Sequence, residues 1–211
     1  MTKTISRPLI QQVKDAVAIL RDGGIIAYPT DTVYGLGADI YNDTALRKIF
    51  TVKGRPLYLP LPVMIADTQQ LDELVSGQTT VSKLLADKFW PGALTIIFHA
   101  APGLHSLALA GSSKIAVRLP DHDIARMIIR ELGRPIAGTS ANSHTGKVTL
   151  TAEEVRSQLG NSVDYIVDAG PCPGGRESTI VDITIDPPQI VRQGAVPESE
   201  IMAVLHNKGG K

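Results

Sequence analysis

The sequence of 211 residues predicts an α/β fold, a single domain in which helices flank a twisted sheet of mixed parallel and antiparallel strands. Helical segments alternate with short β-branched segments over the earlier part of the chain, which is typical of parallel strands joined by helices. Later, two strand-like segments are joined only by Asp186-Pro187-Pro188, as in an antiparallel hairpin. The composition, 43% hydrophobic and 20% charged, is that of an ordinary globular protein.

Seven helices are predicted from apolar residues at spacings of three and four, with polar N-caps before them and glycine after several of them. The clearest start is Thr151 with Glu154, which form a capping-box pattern. Another helix begins at the polar pair Asp43-Thr44, and Asp121 is expected to cap a helix that ends at Gly133. The remaining helices are expected at residues 9–21, after Asp67, at 81–90 with Leu84, Leu85 and Phe89 turned inward, and at 198–205.

Strands are predicted where short β-branched runs are bounded by glycine or proline. They cover residues 24–28, 61–65, 94–98, 115–119, 135–138, 165–167, 179–185 and 189–191. Pro62 should place its strand at an edge of the sheet, or itself at the start of the strand. One domain is therefore expected over residues 1–206, with a core of about 9–206, and the polar tail 207–211 is expected to be disordered.

Charge and residue content limit the kinds of site that the chain can form. The formal net charge is zero, so no global field attracts a polyanion such as RNA. The single cysteine, Cys172, rules out an intrachain disulfide and a multi-cysteine zinc site, and the five histidines show no ligand spacing, so no metal bound by protein ligands alone is expected. Without an apolar leader or a long apolar run, we expect a cytoplasmic protein with no membrane partner.

The segment from Pro29 to Gly37, Pro-Thr-Asp-Thr-Val-Tyr-Gly-Leu-Gly, is the first candidate site. It follows an apolar strand, and Pro29 ends the pairing, so the hydroxyls and carboxylate of residues 30–32 lie at the carboxyl edge of the sheet. Ligands bind at that edge in open α/β sheets. Gly35 and Gly37 are expected to permit tight turns or close approach to a ligand. The alternative is an ordinary polar turn.

Cations and small polar groups at other strand ends extend this candidate. Lys53 and Arg55 could bind one polyphosphate, although such a pair is also common as solvated surface charge. Arg118 ends an apolar strand, so it needs a carboxylate or phosphate partner, and an internal salt bridge is an equal alternative. The predicted result is one open, basic, concave pocket containing Thr32, Lys53, Arg55, Lys114, Arg118, Ser140, Thr149 and Arg192.

The candidate pocket includes no evident general base or nucleophile. Such a site acts by positioning its substrates and neutralising phosphate charge. This favours nucleotidyl transfer onto a substrate that supplies its own nucleophile.

Six motifs, in this order along the chain, resemble those of the YrdC-like (TsaC-type) threonylcarbamoyl-adenylate synthases of tRNA modification. The motifs are Pro29 to Gly37, Lys53-Gly54-Arg55-Pro56, Ile115-Ala116-Val117-Arg118, Ser140-Ala141-Asn142, Glu177-Ser178-Thr179-Ile180-Val181-Asp182 and Val191-Arg192-Gln193-Gly194. The resemblance spans residues 24–194 and implies the short, single-domain form, because longer members of the family carry a second domain for which this chain has no room.

The resemblance implies a nucleotidyltransferase that makes threonylcarbamoyl-AMP and pyrophosphate from L-threonine, bicarbonate and ATP. It implies a threonine site of Thr32, Arg118, Ser178 and Thr179. It implies ATP contacts from Lys53, Arg55, Lys114, Ser140, Asn142, Thr149 and Arg192, with Lys53, Arg55, Ser140 and Asn142 as the catalytic group. Mg²⁺ would accompany ATP, and the product would pass to a tRNA threonylcarbamoyltransferase complex.

Three positions depart from the pattern of this family. Lys114 stands where threonine is expected, Leu59 where an asparagine can contact the nucleotide, and Met64 where a histidine can lie near threonine. Two other hypotheses about the function stay open. One is a double-stranded RNA-binding protein of the same fold, and the other is a paralogue that makes a different carbamoyl or acyl adenylate.

Overall fold

The computed structural model describes residues 6–143 and 145–206, and all of them belong to one α/β arrangement. The predicted disordered tail, 207–211, lies outside the described residues. A nine-stranded sheet has the order β7-β1-β2-β6-β3-β5-β4-β8-β9. Its strands are β1 (Ile26–Tyr28), β2 (Gly35–Asp39), β3 (Val63–Met64), β4 (Leu94–His99), β5 (Lys114–Arg118), β6 (Ile136–Ser140), β7 (Tyr165–Ile166), β8 (Thr179–Asp182) and β9 (Gln189–Arg192).

The sheet is mixed, as predicted. Three pairs are parallel, β1 with β7, β3 with β5 and β4 with β8, and the other five are antiparallel. The predicted hairpin is present as the antiparallel pair β8 and β9. Pro62 immediately precedes β3, which lies inside the sheet between β6 and β5, so the proline marks the start of a strand and not an edge.

All seven predicted helices are present. They are α1 (Arg7–Arg21), α2 (Asp43–Lys53), α3 (Leu71–Leu74), α4 (Thr80–Phe89), α5 (Asp123–Leu132), α6 (Ala152–Leu159) and α7 (Glu198–His206). The capping box of Thr151 and Glu154 forms at the start of α6. Two caps were predicted wrongly: Asn42, and not the 43–44 pair, caps α2 through its side-chain oxygen, and α5 follows His122, with no cap from Asp121.

Helices cover the two faces of the sheet unequally. Helices α1 and α5 pack on one face over a core that includes Tyr28 and Ile136, whereas α2, α3, α4, α6 and α7 contribute to the larger core on the other face. Leu85 lies in that larger core, but Leu84 is exposed, because α4 turns it outward. Within the described residues, no helix combines the length and the apolar character needed to span a membrane.

Strand β2 was not predicted, because it contains the glycines that we expected to form turns. Gly35 and Gly37 pair with β1 on one side and β6 on the other. A Cβ atom on Gly37 would lie 2.5 Å from Ile136 Cγ2 and 3.0 Å from Tyr28 Cε1. Side chains of the two neighbouring strands, Tyr28 and Ile136, therefore pack against these glycines, and the close approach to a ligand stays a prediction.

Candidate functional site

A cleft of about 430 Å³, open to solvent, lies where several of the central strands end. Five of the residues predicted from the sequence line it: Thr32, Arg118, Ser140, Ser178 and Arg192. Met64, which stands at one of the departures from the family pattern, lines it too. The charged residues of its lining are Arg118, Arg192 and Glu177.

Arg118 forms the buried end of the cleft. Its side chain is only 3% exposed, and Asp31 is its carboxylate partner. Nε donates to the carbonyl of Gly92 (2.9 Å), and Nη1 donates to Thr32 Oγ1 (2.9 Å). A guanidinium has five N–H groups, so these contacts leave two donors for a ligand. Burial lowers the pKa of Arg118, while Asp31 opposes that shift. The internal salt bridge and the pocket-facing arginine were alternatives in the sequence, and the structure contains both.

The turn after β1 holds Thr32 in place. Thr30 Oγ1 donates to the carbonyl of Val33 (2.6 Å) and accepts from the backbone N–H groups of Thr32 (3.1 Å) and Val33 (3.2 Å). The hydroxyls of Thr30 and Thr32 are 2.9 Å apart. Asp31 also accepts from the backbone N–H of Asp121 (3.2 Å), so Asp31 joins this turn to the loop before α5. The polar turn is thus the scaffold that presents Thr32 to the cleft.

Lys53 lies behind the cleft wall and is buried. Its ammonium donates to the carbonyl of Ser140 (2.9 Å), and to both the carbonyl and Oδ1 of Asn142. An ammonium has three N–H donors, so these contacts use all of them. Burial lowers its pKa to about 8, with nearby Arg55 acting in the same direction and Glu177 opposing it. Lys53 therefore holds the 140–142 segment in the conformation that the cleft presents.

Arg192 forms the open end of the cleft, with its side chain 37% exposed. Nε and Nη2 donate to the carbonyl of Ser178 (3.2 and 2.9 Å), and Nη1 donates to Glu177 Oε2 (2.9 Å). Arg55 is near enough for Arg192 to lower its pKa further, although burial is the larger cause. Its Nε and Nη2 donate to the carbonyls of Leu59 (3.2 Å) and Pro60 (2.8 Å), so it also supports the 56–60 loop.

Besides Lys53, five predicted residues do not line the cleft: Arg55, Lys114, Asn142, Thr149 and Thr179. Thr179 donates its hydroxyl to the carbonyl of Val196 (2.6 Å), because it points to the opposite side of β8 from Ser178. The hydroxyl of Thr149 donates to the carbonyl of Ala141 (3.0 Å). Asn142 is engaged by Lys53, Ser140 and the carbonyl of Gly146.

Lys114 is the outlier of the predicted set. It lies four residues before Arg118 on the same side of β5, about 13 Å away along an extended strand. Its ammonium pairs with Asp182 (2.9 Å). The structure therefore does not bring Lys114 into the cleft, and its contact with a nucleotide stays a prediction.

Two carboxylates were missed as site residues. Asp31 and Glu177 both lie within quoted motifs, yet neither was assigned a role. The signal for Glu177 was its position before β8, beside the strand that ends in Arg192, because neighbours on paired antiparallel strands can form opposite-charge pairs.

Comparison with known proteins gives consistent matches. Residues 18–194 match the Sua5/YciO/YrdC family, described as telomere recombination. The chain is 43% identical over 196 residues to a protein of Bacillus subtilis named threonylcarbamoyl-AMP synthase, covering 92% of this chain and 56% of that relative.

Solved structures share the fold. The crystal structure of Pyrococcus abyssi Sua5 complexed with L-threonine has a TM-score of 0.90 and 35% identity, covering 96% of this chain and 58% of that one. Escherichia coli YciO has a TM-score of 0.80 and 28% identity, covering 89% of this chain and 91% of that one. The chain thus spans little more than half the length of the first two relatives and most of the third.

Proposed function

Because the chain belongs to the Sua5/YciO/YrdC family, we propose that it is an L-threonylcarbamoyladenylate synthase, a nucleotidyltransferase that converts L-threonine, bicarbonate and ATP into threonylcarbamoyl-AMP, pyrophosphate and water. The observation that carries the proposal is the 43% identity, across 92% of the chain, to a relative named threonylcarbamoyl-AMP synthase. The product would serve threonylcarbamoyladenosine modification of tRNA, by transfer through a partner threonylcarbamoyltransferase complex in the cytoplasm.

Two steps account for the atoms. The amino nitrogen of threonine bonds to the carbon of bicarbonate, and water leaves to give a carbamate. A carbamate oxygen then bonds to the α-phosphorus of ATP while the bond to the β-phosphate oxygen breaks, so that pyrophosphate leaves. The nucleophile belongs to the substrate, which suits this cleft: among the described residues that line it there is no histidine or cysteine. The hydroxyls of Ser140 and Ser178 bond to Asn142 and Thr95.

The buried end of the cleft suits the threonine carboxylate. Arg118 has two N–H donors beyond its three observed contacts, and Thr32 places a hydroxyl beside it. A second carboxylate at a desolvated, preoriented guanidinium forms strong charge-assisted hydrogen bonds. Ser178, which lines the same cleft, would contact the substrate beside it.

The open end suits the triphosphate. Arg192 and Arg55 supply planar donor groups, and the Ser140–Asn142 segment is held by Lys53. In this proposal Lys53 acts through that segment, since its three donors are already used. The work of these residues is to align the α-phosphate with the carbamate and to neutralise charge on the leaving pyrophosphate.

Magnesium would enter as the complex with ATP, and when bound it would neutralise charge on the β- and γ-phosphates. The donor set fits a metal held mainly by the nucleotide. Asp31 and Glu177 are each engaged by an arginine, and the described part of the chain has no cluster of three potential metal-binding His, Cys, Asp or Glu side chains.

The test is pyrophosphate release from MgATP by the purified protein, with threonine and bicarbonate omitted in turn and serine tried as a substitute. Release that requires both threonine and bicarbonate is expected. Release that is insensitive to threonine would favour a paralogue that makes another adenylate. No release, together with salt-sensitive binding of double-stranded RNA, would favour the RNA-binding alternative.

A further inference from the structure

Glu177 is a cleft carboxylate to which neither the proposed reaction nor the sequence assigns a role. It lines the cleft, and its side chain is 35% exposed. Its Oε2 is 2.9 Å from Arg192 Nη1. Its charge also reaches the other cations of the open end, since it raises the pKa values of both Lys53 and Arg55 against the effect of burial.

The carboxylate is not needed to hold Arg192 in place. Two other N–H groups of Arg192 donate to the carbonyl of Ser178, and Nη2 also lies 3.2 Å from the Ser178 hydroxyl. Those contacts fix the plane of the guanidinium without Glu177. The remaining nitrogen, Nη1, faces the carboxylate in a half-exposed pair, and pairs of this kind are weak and exchangeable.

The backbone of Glu177 is anchored, so its carboxylate stays near this arginine. The Glu177 carbonyl accepts from the backbone N–H of Ala195 (2.9 Å). The adjacent Gly194 packs so closely that a Cβ there would lie 2.4 Å from the Glu177 carbonyl oxygen. The backbone of Glu177 is thus fixed beside the cations, while its side chain, 35% exposed, borders solvent.

We propose that Glu177 is an internal anion that competes with polyphosphate for Arg192, and that it thereby promotes the release of pyrophosphate. This inference rests on the proposed function. MgATP binding displaces the carboxylate from Nη1. After the α–β bond is broken, the carboxylate returns to Nη1 as pyrophosphate leaves. Asp31 cannot act in this way, because it is committed to the buried Arg118.

The experiment measures binding of inorganic pyrophosphate and of MgATP by calorimetry, and pyrophosphate inhibition of turnover, in the full chain and in Glu177→Gln. The amide keeps the shape but removes the charge. We expect Glu177→Gln to bind pyrophosphate about 3- to 10-fold more tightly, which corresponds to the loss of one exposed competing ion pair and its repulsion. Inhibition by pyrophosphate should strengthen by a similar factor, and added salt should reduce the difference.

Two controls separate this role from others. Glu131→Gln removes the same charge from the exposed surface of α5 and should leave both affinities unchanged. In an Arg192→Ala background, Glu177→Gln should tighten pyrophosphate binding much less, because only the direct repulsion remains, and an undiminished effect would overturn the assignment to Arg192.

Weaker or unchanged pyrophosphate binding by Glu177→Gln would overturn the inference, and weaker binding would indicate that Glu177 positions Arg192. If the parent chain made threonylcarbamoyl-AMP, the proposed function would survive that result. A parent chain that bound neither MgATP nor pyrophosphate would overturn both proposals together.

Discussion

Arg118 and Arg192 both end strands that lead into one cleft, yet their surroundings differ greatly. The Arg118 side chain is 3% exposed and touches a carbonyl, a hydroxyl and a carboxylate. The Arg192 side chain is 37% exposed and pairs with the carboxylate of Glu177, whose side chain is 35% exposed. Burial therefore divides the cleft into a rigid end that suits one small ligand and an adjustable end that suits a flexible polyanion. Residue type alone does not make that distinction.

The largest expected effect is at the rigid end. Arg118→Ala should raise the threonine requirement by more than about 100-fold, because a desolvated charge-assisted contact is lost, while the ATP requirement changes by less than about threefold. Stability should fall by about 3–5 kcal/mol, since Asp31 loses its partner. Pyrophosphate release against threonine and ATP, together with urea unfolding, measures both. A paired Arg118→Met, Asp31→Asn variant should recover stability but not threonine binding, and equal changes in both substrate requirements would contradict the division of the cleft.

Substitution of Lys53 tests whether ATP binding at the open end of the cleft depends on the Lys53 contacts to the 140–142 segment. Lys53→Met should raise the ATP requirement by about 10-fold and lower stability by about 1–3 kcal/mol, because three oxygen acceptors lose their donor. Titration of the ATP dependence and chemical denaturation check these values. An unchanged ATP requirement with lowered stability would restrict Lys53 to a purely structural role.

The pKa of Lys53 gives a pH signature. Burial lowers this pKa from about 10.5 to about 8, so between these values the unfolded chain holds a proton that the folded chain has released. The free energy of unfolding of the parent should therefore rise with pH across that window, relative to Lys53→Met. ATP binding should weaken as the pH rises through about 8, because the 140–142 segment then loses a donor. Denaturation of both proteins from pH 7 to 10 tests this, and parallel curves would refute it.

Substitutions at Thr32 and Thr179 compare two buried hydroxyls. Thr32 lines the cleft, and Thr179 does not. Thr32→Val should raise the threonine requirement by about 5-fold, because an Arg118 donor loses its acceptor. Thr179→Val should lower stability by about 1 kcal/mol and leave the threonine requirement unchanged, since its hydroxyl bonds to Val196 and Gly194. Threonine titrations and thermal unfolding distinguish the two. A matching effect from both variants would mean that Thr179 also reaches the substrate.

The smallest effect is expected at Lys114. Its ammonium pairs with Asp182 and its side chain is 37% exposed, so Lys114→Met should cost at most about 1 kcal/mol of stability. The ATP requirement should stay within about twofold. A larger rise, absent in Asp182→Asn, would show that the nucleotide extends along β5 to this lysine.

Local rules predicted most of the fold, because β-branched runs and capping patterns fix their own structure. They failed where a distant residue decided the outcome. Gly35 and Gly37, for example, resemble turn residues until Tyr28 is placed across them. Nothing in the local pattern of α4 reveals that Leu84 is exposed.

The candidate site was likewise predicted only in part from local sequence patterns. Five residues that the motifs singled out, Thr32, Arg118, Ser140, Ser178 and Arg192, line one cleft. They could not show that Thr179 points to the other side of the sheet, or that the donors of Lys53 are saturated, because both facts depend on which oxygen atoms the folded chain brings near. Glu177 was missed because its pairing with Arg192 depends on how β8 and β9 come together in the folded chain.

The order of strands in the sheet also affects how the chain folds while it is being synthesised. Strand β1 pairs with β7, and β4 pairs with β8, so early strands wait for partners made much later. Such non-local pairing slows folding and leaves strand edges exposed while the ribosome is still translating. The cleft joins Thr32 to Arg192, and so a nascent chain has no complete site until almost all of the sheet has emerged. Exposed edges of this kind are where chaperones would be expected to act on this protein.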